Sequence, residues 1–225
     1  KYTDVPAWVK DNNLTDPALQ IFFGSPVFGN AVEHGSVHLA ATVASRDADN
    51  EGVPYWSPSN RRMLCNGLTH AGRELALTPS EAAYLNGQGI VTGLNFTGQM
   101  TVWGNRTAAS PAVTDVKDTF IPVRRMFNYI GNTLVLTAWQ FTDSPLRRRF
   151  IEQICDSFNL WLNGLAAREY ILGGKVAFLA GENPSTDLID GTARFHVFIA
   201  PPPPAREIRF TLEYDPSYLT NLFAE

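Results

Sequence analysis

Gly98-Gln99-Met100-Thr101-Val102-Trp103-Gly104-Asn105-Arg106-Thr107, followed downstream by Arg124-Arg125-Met126, is the stretch that decides the fold. Gln99 to Trp103 reads as a strand stopped by a glycine turn at Gly104. The paired arginines open a helical pattern in which Val123, Met126, Phe127, Ile130, Leu134 and Thr137 fall on one stripe. Thr133 to Thr137 alone would read as a strand, but the length of the pattern favours a helix from Pro122 to about Trp139. Strand, tight turn and helix in that order indicate a mixed α/β chain. No metal, phosphate or nucleophile chemistry asks for this combination.

Working outward, Thr78 to Gly87 is a clear helix. Thr78 and Glu81 form a capping box, Pro79 takes the first helical position and Gly87 closes the end. Asp16-Pro17-Ala18-Leu19-Gln20 reads as an N-cap with proline at the first helical position. Val32, Leu39, Ala40 and Val43 suggest a weaker helix that ends before the polar loop Arg46-Asp47-Ala48-Asp49-Asn50. Pro54 to Pro58 is extended or turn. Ser144-Pro145 starts the strongest helix, which runs to about Arg168. Its apolar face comprises Ile151, Ile154, Cys155, Phe158, Leu162 and Leu165, widened by Trp161. Gly173-Gly174 is read as a turn.

Beyond it the chain becomes strand-rich. Val176 to Leu179 is a short apolar run, and Phe195, Val197 and Ile199 alternate with Arg194, His196 and Phe198. Pro201 to Pro204 form a stiff spacer without backbone donors. Ile208, Phe210, Leu212 and Tyr214 then alternate with Arg209, Thr211 and Glu213, the pattern of an edge-like strand with one apolar face.

A chain of 225 residues, 44% hydrophobic and 18% charged, can bury a sizeable core. Its net charge of −4 argues against a generic nucleic-acid binder. Cys65 and Cys155 make neither a disulfide framework nor a metal cluster. No run is long enough to span a bilayer, and no secretory leader is expected. Because the chain opens at Lys1 rather than Met, it is read as a fragment.

Five segments together resemble contractile-tail sheath proteins. The Gly98–Thr107 run is the first of these. Gly52-Val53-Pro54-Tyr55-Trp56-Ser57-Pro58-Ser59-Asn60 is similar to that family's proline-and-aromatic entry into its sheet. Thr78 to Ile90 resembles the helix before the Trp-Gly strand. Asn183-Pro184 and Asp190-Gly191 resemble a later turn, and Pro203 to Phe210 resembles the closing strand. Their shared order carries the resemblance; residues 1–45 add little to it.

The resemblance implies a mixed α+β fold, a mixed sheet flanked by helices. Residues 1–107 would end a subtilisin-like sheath domain, and residues 108–225 would form the carboxy-terminal sheath domain, the two sharing one core. It implies a mechanical protein without cofactor, found in the virion tail and in the host cytoplasm during assembly. Its partners would be further copies in hexameric rings stacked into a helical sheath, the tail tube protein, and baseplate and tail terminator proteins. Neither nucleic-acid contact nor membrane insertion is expected. A bacteriocin-like or type VI secretion sheath is the nearest alternative.

The resemblance makes Ile208, Phe210, Leu212 and Tyr214 a candidate arm that adds a strand to an adjacent subunit. Folding back onto its own sheet is the other option. Arg147-Arg148-Arg149 lies in the first turn of the long helix, where the helix dipole disfavours positive charge. It is either a solvated basic turn or a docking patch for carboxylates of the tube or another subunit. Arg106, Arg124 and Arg125 are expected to hold internal carboxylates such as Asp115 or Asp118, or to form ion pairs between subunits.

Competing chemistry is weakly supported. His34 and His38 have helical spacing, but Glu33 precedes them and Gly35-Ser36 interrupts, so the zincin order is not met. Cys65 and His70 would be the pair of a cysteine hydrolase, yet no orienting residue or oxyanion motif accompanies them. Gly87-Gln88-Gly89 lacks the further glycine and lysine of a phosphate loop. A monomeric binding module remains a third reading.

Overall fold

The computed structural model describes residues 1–223. Its centre is a mixed sheet of β1 (Ile21–Phe23), β6 (Ile90–Asn95) and β7 (Met100–Trp103), in the order β1-β6-β7. The pair β1 and β6 is parallel, while β6 and β7 are antiparallel with Thr92 opposite Trp103. Ile90 to Leu94 are all buried, as a strand covered on both faces must be. The buried Thr92 hydroxyl donates to the Phe23 carbonyl at 2.9 Å, so burying it leaves no orphan group.

A second, antiparallel sheet has the order β3-β2-β4-β5, built from β2 (Ser25–Phe28), β3 (Ala31–Val32), β4 (Gly67–His70) and β5 (Arg73–Glu74). Helices α1 (Val5–Asp11), α2 (Gly35–Ala48) and α3 (Pro79–Gly87) accompany the two sheets. In α3 the Thr78 hydroxyl accepts from the Glu81 N–H, and the Glu81 carboxylate accepts from the Thr78 N–H at 2.8 Å.

The later half holds α4 (Val116–Thr119), α5 (Ile121–Ala138), α6 (Arg148–Ala167), β8 (Gly173–Ala177), α7 (Ser185–Ile189) and β9 (His196–Ala200). Strands β8 and β9 pair antiparallel as a two-stranded sheet against which α6 packs. The long apolar face of α6 meets α5 and β8 in a cluster containing Met126, Ile130, Ile154, Phe158, Leu162 and Val176. Two further clusters lie around Leu39, Met63, Val91, Val102 and Ile121, and around Val9, Phe23, Leu85 and Ile90. Helix α5 contributes to two of the three, so it ties the mixed sheet to the helical half.

The Trp103-Gly104 turn depends on glycine. Gly104 has φ +142°, and a Cβ there would stand 2.9 Å from the Val91 Cα. Only a residue without a side chain lets β7 leave so close to β6. Beyond the turn the backbone is cross-braced. The Thr107 N–H donates to the Thr119 carbonyl and the Ile121 N–H to the Asn105 carbonyl, both at 2.9 Å.

Several expectations are corrected. Asp16-Pro17 opens no helix: the Asp16 carboxylate accepts from the Ala18 N–H at 2.6 Å and closes a turn, the alternative that aspartate always offers the backbone. Val32 belongs to β3, and α2 continues through Arg46, Asp47 and Ala48. Tertiary contacts hold that polar end in helix: the Arg46 guanidinium lies 4.5 Å over Trp56, and Asp47 pairs with Arg125. Helix α6 starts at Arg148, because Arg147 is extended at φ −126°, ψ 155°. Gly173-Gly174 is strand; a Cβ on Gly174 would sit 3.3 Å from Leu162 and Ile199 side-chain atoms, so glycine allows α6 to lie close. Residues 208–214 form no strand within the chain.

Candidate subunit interface

The closing segment has two parts with different footing. Pro201 is buried, and Pro202 to Arg206 line a groove of about 610 Å³ with Arg46, Trp56, Asn86 and Trp103. The root of the segment is therefore seated on the body. From Glu207 onward every residue up to Thr220 is exposed. Ile208, Phe210, Leu212 and Tyr214 are 71%, 85%, 95% and 77% exposed. Side-chain hydrogen bonds in this stretch are local, between Arg209 and Glu207 and from the Ser217 N–H to Asp215. Four large apolar side chains on alternate positions, all in water, are an incomplete structure. The 3-10 turns of Pro216–Phe223 follow.

The arginine triplet sits at the start of α6. Arg147 occupies the cap position without a capping side-chain bond, and no acid lies in the first turn. All three side chains are exposed. Arg148 pairs with Glu152 at 2.8 Å, which raises its pKa further. Arg147 and Arg149 have no carboxylate partner among the described residues. Arg147 and Arg148 also line a groove of about 1090 Å³ between α6, β8 and α7.

The other arginines act within the chain. Arg124 pairs with Asp118 at 2.8 Å. Arg125 instead makes a two-pronged contact with Asp47, joining α5 to the end of α2. Among the described residues Arg106 holds no carboxylate. Its guanidinium lies 5.2 Å over Phe120 and donates to the Ser110 hydroxyl at 3.2 Å. Burial, aided by nearby Arg206, lowers its pKa. Asp115 caps α4 by accepting from the Lys117 N–H at 2.9 Å.

His34 precedes α2 as its cap residue, and His38 contacts Glu33. Among the described residues no group of three or more metal-ligating side chains occurs. Cys65 packs against the cluster that holds Met63 and Val102, while the His70 ring lies 4.9 Å from Phe23. Burial raises the Cys65 thiol pKa, against a weaker opposing bond from Gly67. A cysteine nucleophile needs the opposite shift.

Over 173 residues the chain is 32% identical to the tail sheath protein of Burkholderia phage BcepMu, covering 75% of this chain and 36% of that protein. The chain belongs to the contractile tail sheath family. A second sheath relative is the major tail sheath protein of Serratia phage KSP20, 26% identical over 147 residues, which are 64% of this chain and 35% of that protein. Among solved structures, the sheath complex of the PVC extracellular contractile injection system in its contracted state has the same fold. Its TM-score is 0.80 at 21% identity, covering 96% of this chain and 61% of that one. No family model matches the chain. The chain spans about a third of the length of its curated phage relatives.

Sequence reasoning missed Asp47 as the partner of Arg125, because nothing local links residues on separate helices. It also missed Asn159, whose amide bonds the β8 backbone. A lone asparagine on the flank of an apolar helix face gives no signal of such a role.

Proposed function

We propose that the full protein is the sheath subunit of a contractile bacteriophage tail. Copies stack in rings around a tail tube and shorten after a baseplate trigger, driving the tube through the host envelope. Better contacts between subunits in the short form supply the free energy. In this reading residues 1–107 close the subtilisin-like domain and residues 108–225 form the carboxy-terminal domain. The virion tail is the working location. The exposed arginines Arg147 and Arg149 suit carboxylates of the tube or of a neighbouring subunit. A Cys65 thiol raised by burial, with no hydrogen bond to His70 among the described residues, favours a mechanical protein over a cysteine hydrolase.

One observation carries the reading: an apolar, alternating segment rooted by prolines and exposed along its whole length. A strand that its own chain leaves unpaired suits exchange between subunits, where sheet edges await a partner. About five hydrogen bonds would each contribute roughly 1 kcal/mol net. Ordering about six backbone residues costs about 1–2 kcal/mol each. These terms oppose each other, so burial of Ile208, Phe210 and Leu212 decides, at about 1.5–3 kcal/mol per side chain. Electron microscopy of the full-length product tests the function directly. Tubes are expected; protein that stays dispersed under every solution condition would refute it.

A further inference from the structure

We propose that the groove beside the proline root is a binding site for an acidic polypeptide segment, with Arg46 and Arg206 holding its carboxylates. The fold has used the acceptors of this groove and left its donors. The groove is complete in the unpolymerised chain, so the site does not depend on what residues 208–214 do in an assembly.

Three side-chain acceptors in the groove are taken by backbone N–H groups. Ser57 Oγ accepts from the Ser59 N–H at 3.2 Å, Ser59 Oγ from the Gly104 N–H at 3.1 Å, and Asn86 Oδ1 from the Asn105 N–H at 3.2 Å. These bonds hold the exit of β7 against residues 57–59 and α3. The serine hydroxyl hydrogens and the Asn86 Nδ2 stay free to donate to a ligand. The indoles of Trp56 and Trp103 can only donate. Asn105 also lines the groove and is 7% exposed, yet its amide makes no side-chain hydrogen bond among the described residues. A buried amide left this way costs free energy until something supplies its partners.

Charge points the same way. Arg46 and Arg206 line the groove, and no aspartate or glutamate does. Neither arginine has an ion-pair partner among the described residues. Asp49, the carboxylate that acts on Arg46, is already paired with Arg61. Burial first, then Arg61, lowers the Arg46 pKa, as expected of a cation short of counter-charge. Its buried Nε has no partner either. The Arg46 guanidinium lies 4.5 Å over the Trp56 ring. Held flat in this way, its fork is set for the two parallel bonds that grip a carboxylate. The fixed φ angles of the prolines limit where Arg206 can stand.

The size of the groove selects a segment over a single ion. About 610 Å³ is far more than a small anion fills, and it falls in the range of sites that enclose larger ligands. Trp56, Trp103 and the prolines add apolar surface beside the two arginines. A peptide with carboxylates on short aliphatic stems matches both kinds of lining. A polyanion drawn by bulk charge alone is disfavoured, because the chain carries a net charge of −4.

Titration of the unpolymerised protein with a blocked hexaglutamate peptide tests the site, followed through the indole N–H resonances of the five tryptophans. Saturable shifts at Trp56 and Trp103, assigned with Trp56→Phe and Trp103→Phe, are expected, and hexaglutamine should produce none. Arg46→Gln and Arg206→Gln should each weaken binding about tenfold or more. Arg149→Gln, at an exposed arginine outside the groove, should leave it unchanged. An equal loss from Arg149→Gln would overturn the site in favour of general charge attraction. Inorganic phosphate that saturates the same resonances as tightly as the peptide would overturn the choice of a polypeptide ligand. No shift at either indole would remove the site altogether. Each of these failures is read without polymerisation and leaves the sheath reading standing.

Discussion

Phe210→Asp separates a docked arm from a decorative tail. Phe210 is 85% exposed in the single chain. Its loss should therefore leave the folded body within about 0.5 kcal/mol of the parent, as at other surface sites. In a docked arm the same ring would be buried. Losing that burial removes about 1.5–3 kcal/mol per arm, and a carboxylate placed there adds a desolvation penalty. At about 1.4 kcal/mol per tenfold, the burial alone weakens each link roughly 10- to 150-fold. A lattice repeats the link in every subunit, so polymerisation should fail outright. Two measurements on the full-length protein check this: urea unfolding of the unpolymerised form, expected unchanged, and electron microscopy, expected to show no tubes. Phe210→Leu, which keeps most of the apolar surface, should restore them. Normal tubes from Phe210→Asp would refute arm docking through this side chain. A clear fall in stability of the unpolymerised form would refute it differently, by placing Phe210 in the chain's own core.

Three further outcomes are expected. Replacing Arg147, Arg148 and Arg149 by glutamine should weaken attachment to the tail tube more at low salt than at high salt, read by co-sedimentation; attachment unchanged across ionic strength would count against a docking patch. Gly104→Ala should cost about 1–3 kcal/mol in urea unfolding, because the new Cβ meets the Val91 backbone at a φ that side chains avoid. Thr78→Ala should cost about 0.5–2 kcal/mol at neutral pH through loss of the cap. Bonds from the Thr78 N–H and hydroxyl hold the Glu81 carboxyl below the ordinary glutamate range. That contribution is complete above the ordinary range and is lost as pH falls through the lowered native value. The gap between parent and Thr78→Ala should therefore narrow in acid, and a constant gap would argue against the capping box.

What could be read from the sequence was what local chemistry decides. The α3 cap, the α5 stripe and the long apolar face of α6 are written within a few residues of one another. The strand ending at Trp103-Gly104 was legible for the same reason. Elements held by distant partners were not. Strand β6 is the centre of the mixed sheet, yet Ile90 to Leu94 has no alternation, because both of its faces are covered. The polar end of α2 looks like a loop until Trp56 and Arg125 are brought against it. Arg125 was recognisable as a candidate ion-pair residue, but its carboxylate lies on a helix far away in sequence. Residues 208–214 show the reverse case: the period-two pattern is plain, while the strand it describes has no partner among the described residues.

If the protein works as the proposed sheath subunit, that mismatch between pattern and structure has a mechanical use. A shortening lattice needs bodies that keep their shape and links that survive when those bodies turn. The body here is cross-braced by Arg125–Asp47, by Arg124–Asp118 and by the backbone bonds between residues 105–107 and 119–121. In the proposed reading the link begins where the bracing stops, after the seated prolines. A proline root removes chain entropy before docking, so less is lost when a strand adds to a neighbour. It also fixes the direction in which the apolar stripe leaves the body while leaving the stripe itself unpaired. Swapping Pro202, Pro203 and Pro204 for glycine would keep every contact available to the arm and change only its freedom. Weaker polymerisation from that variant, with unaltered stability of the unpolymerised protein, is what a pre-organised link requires.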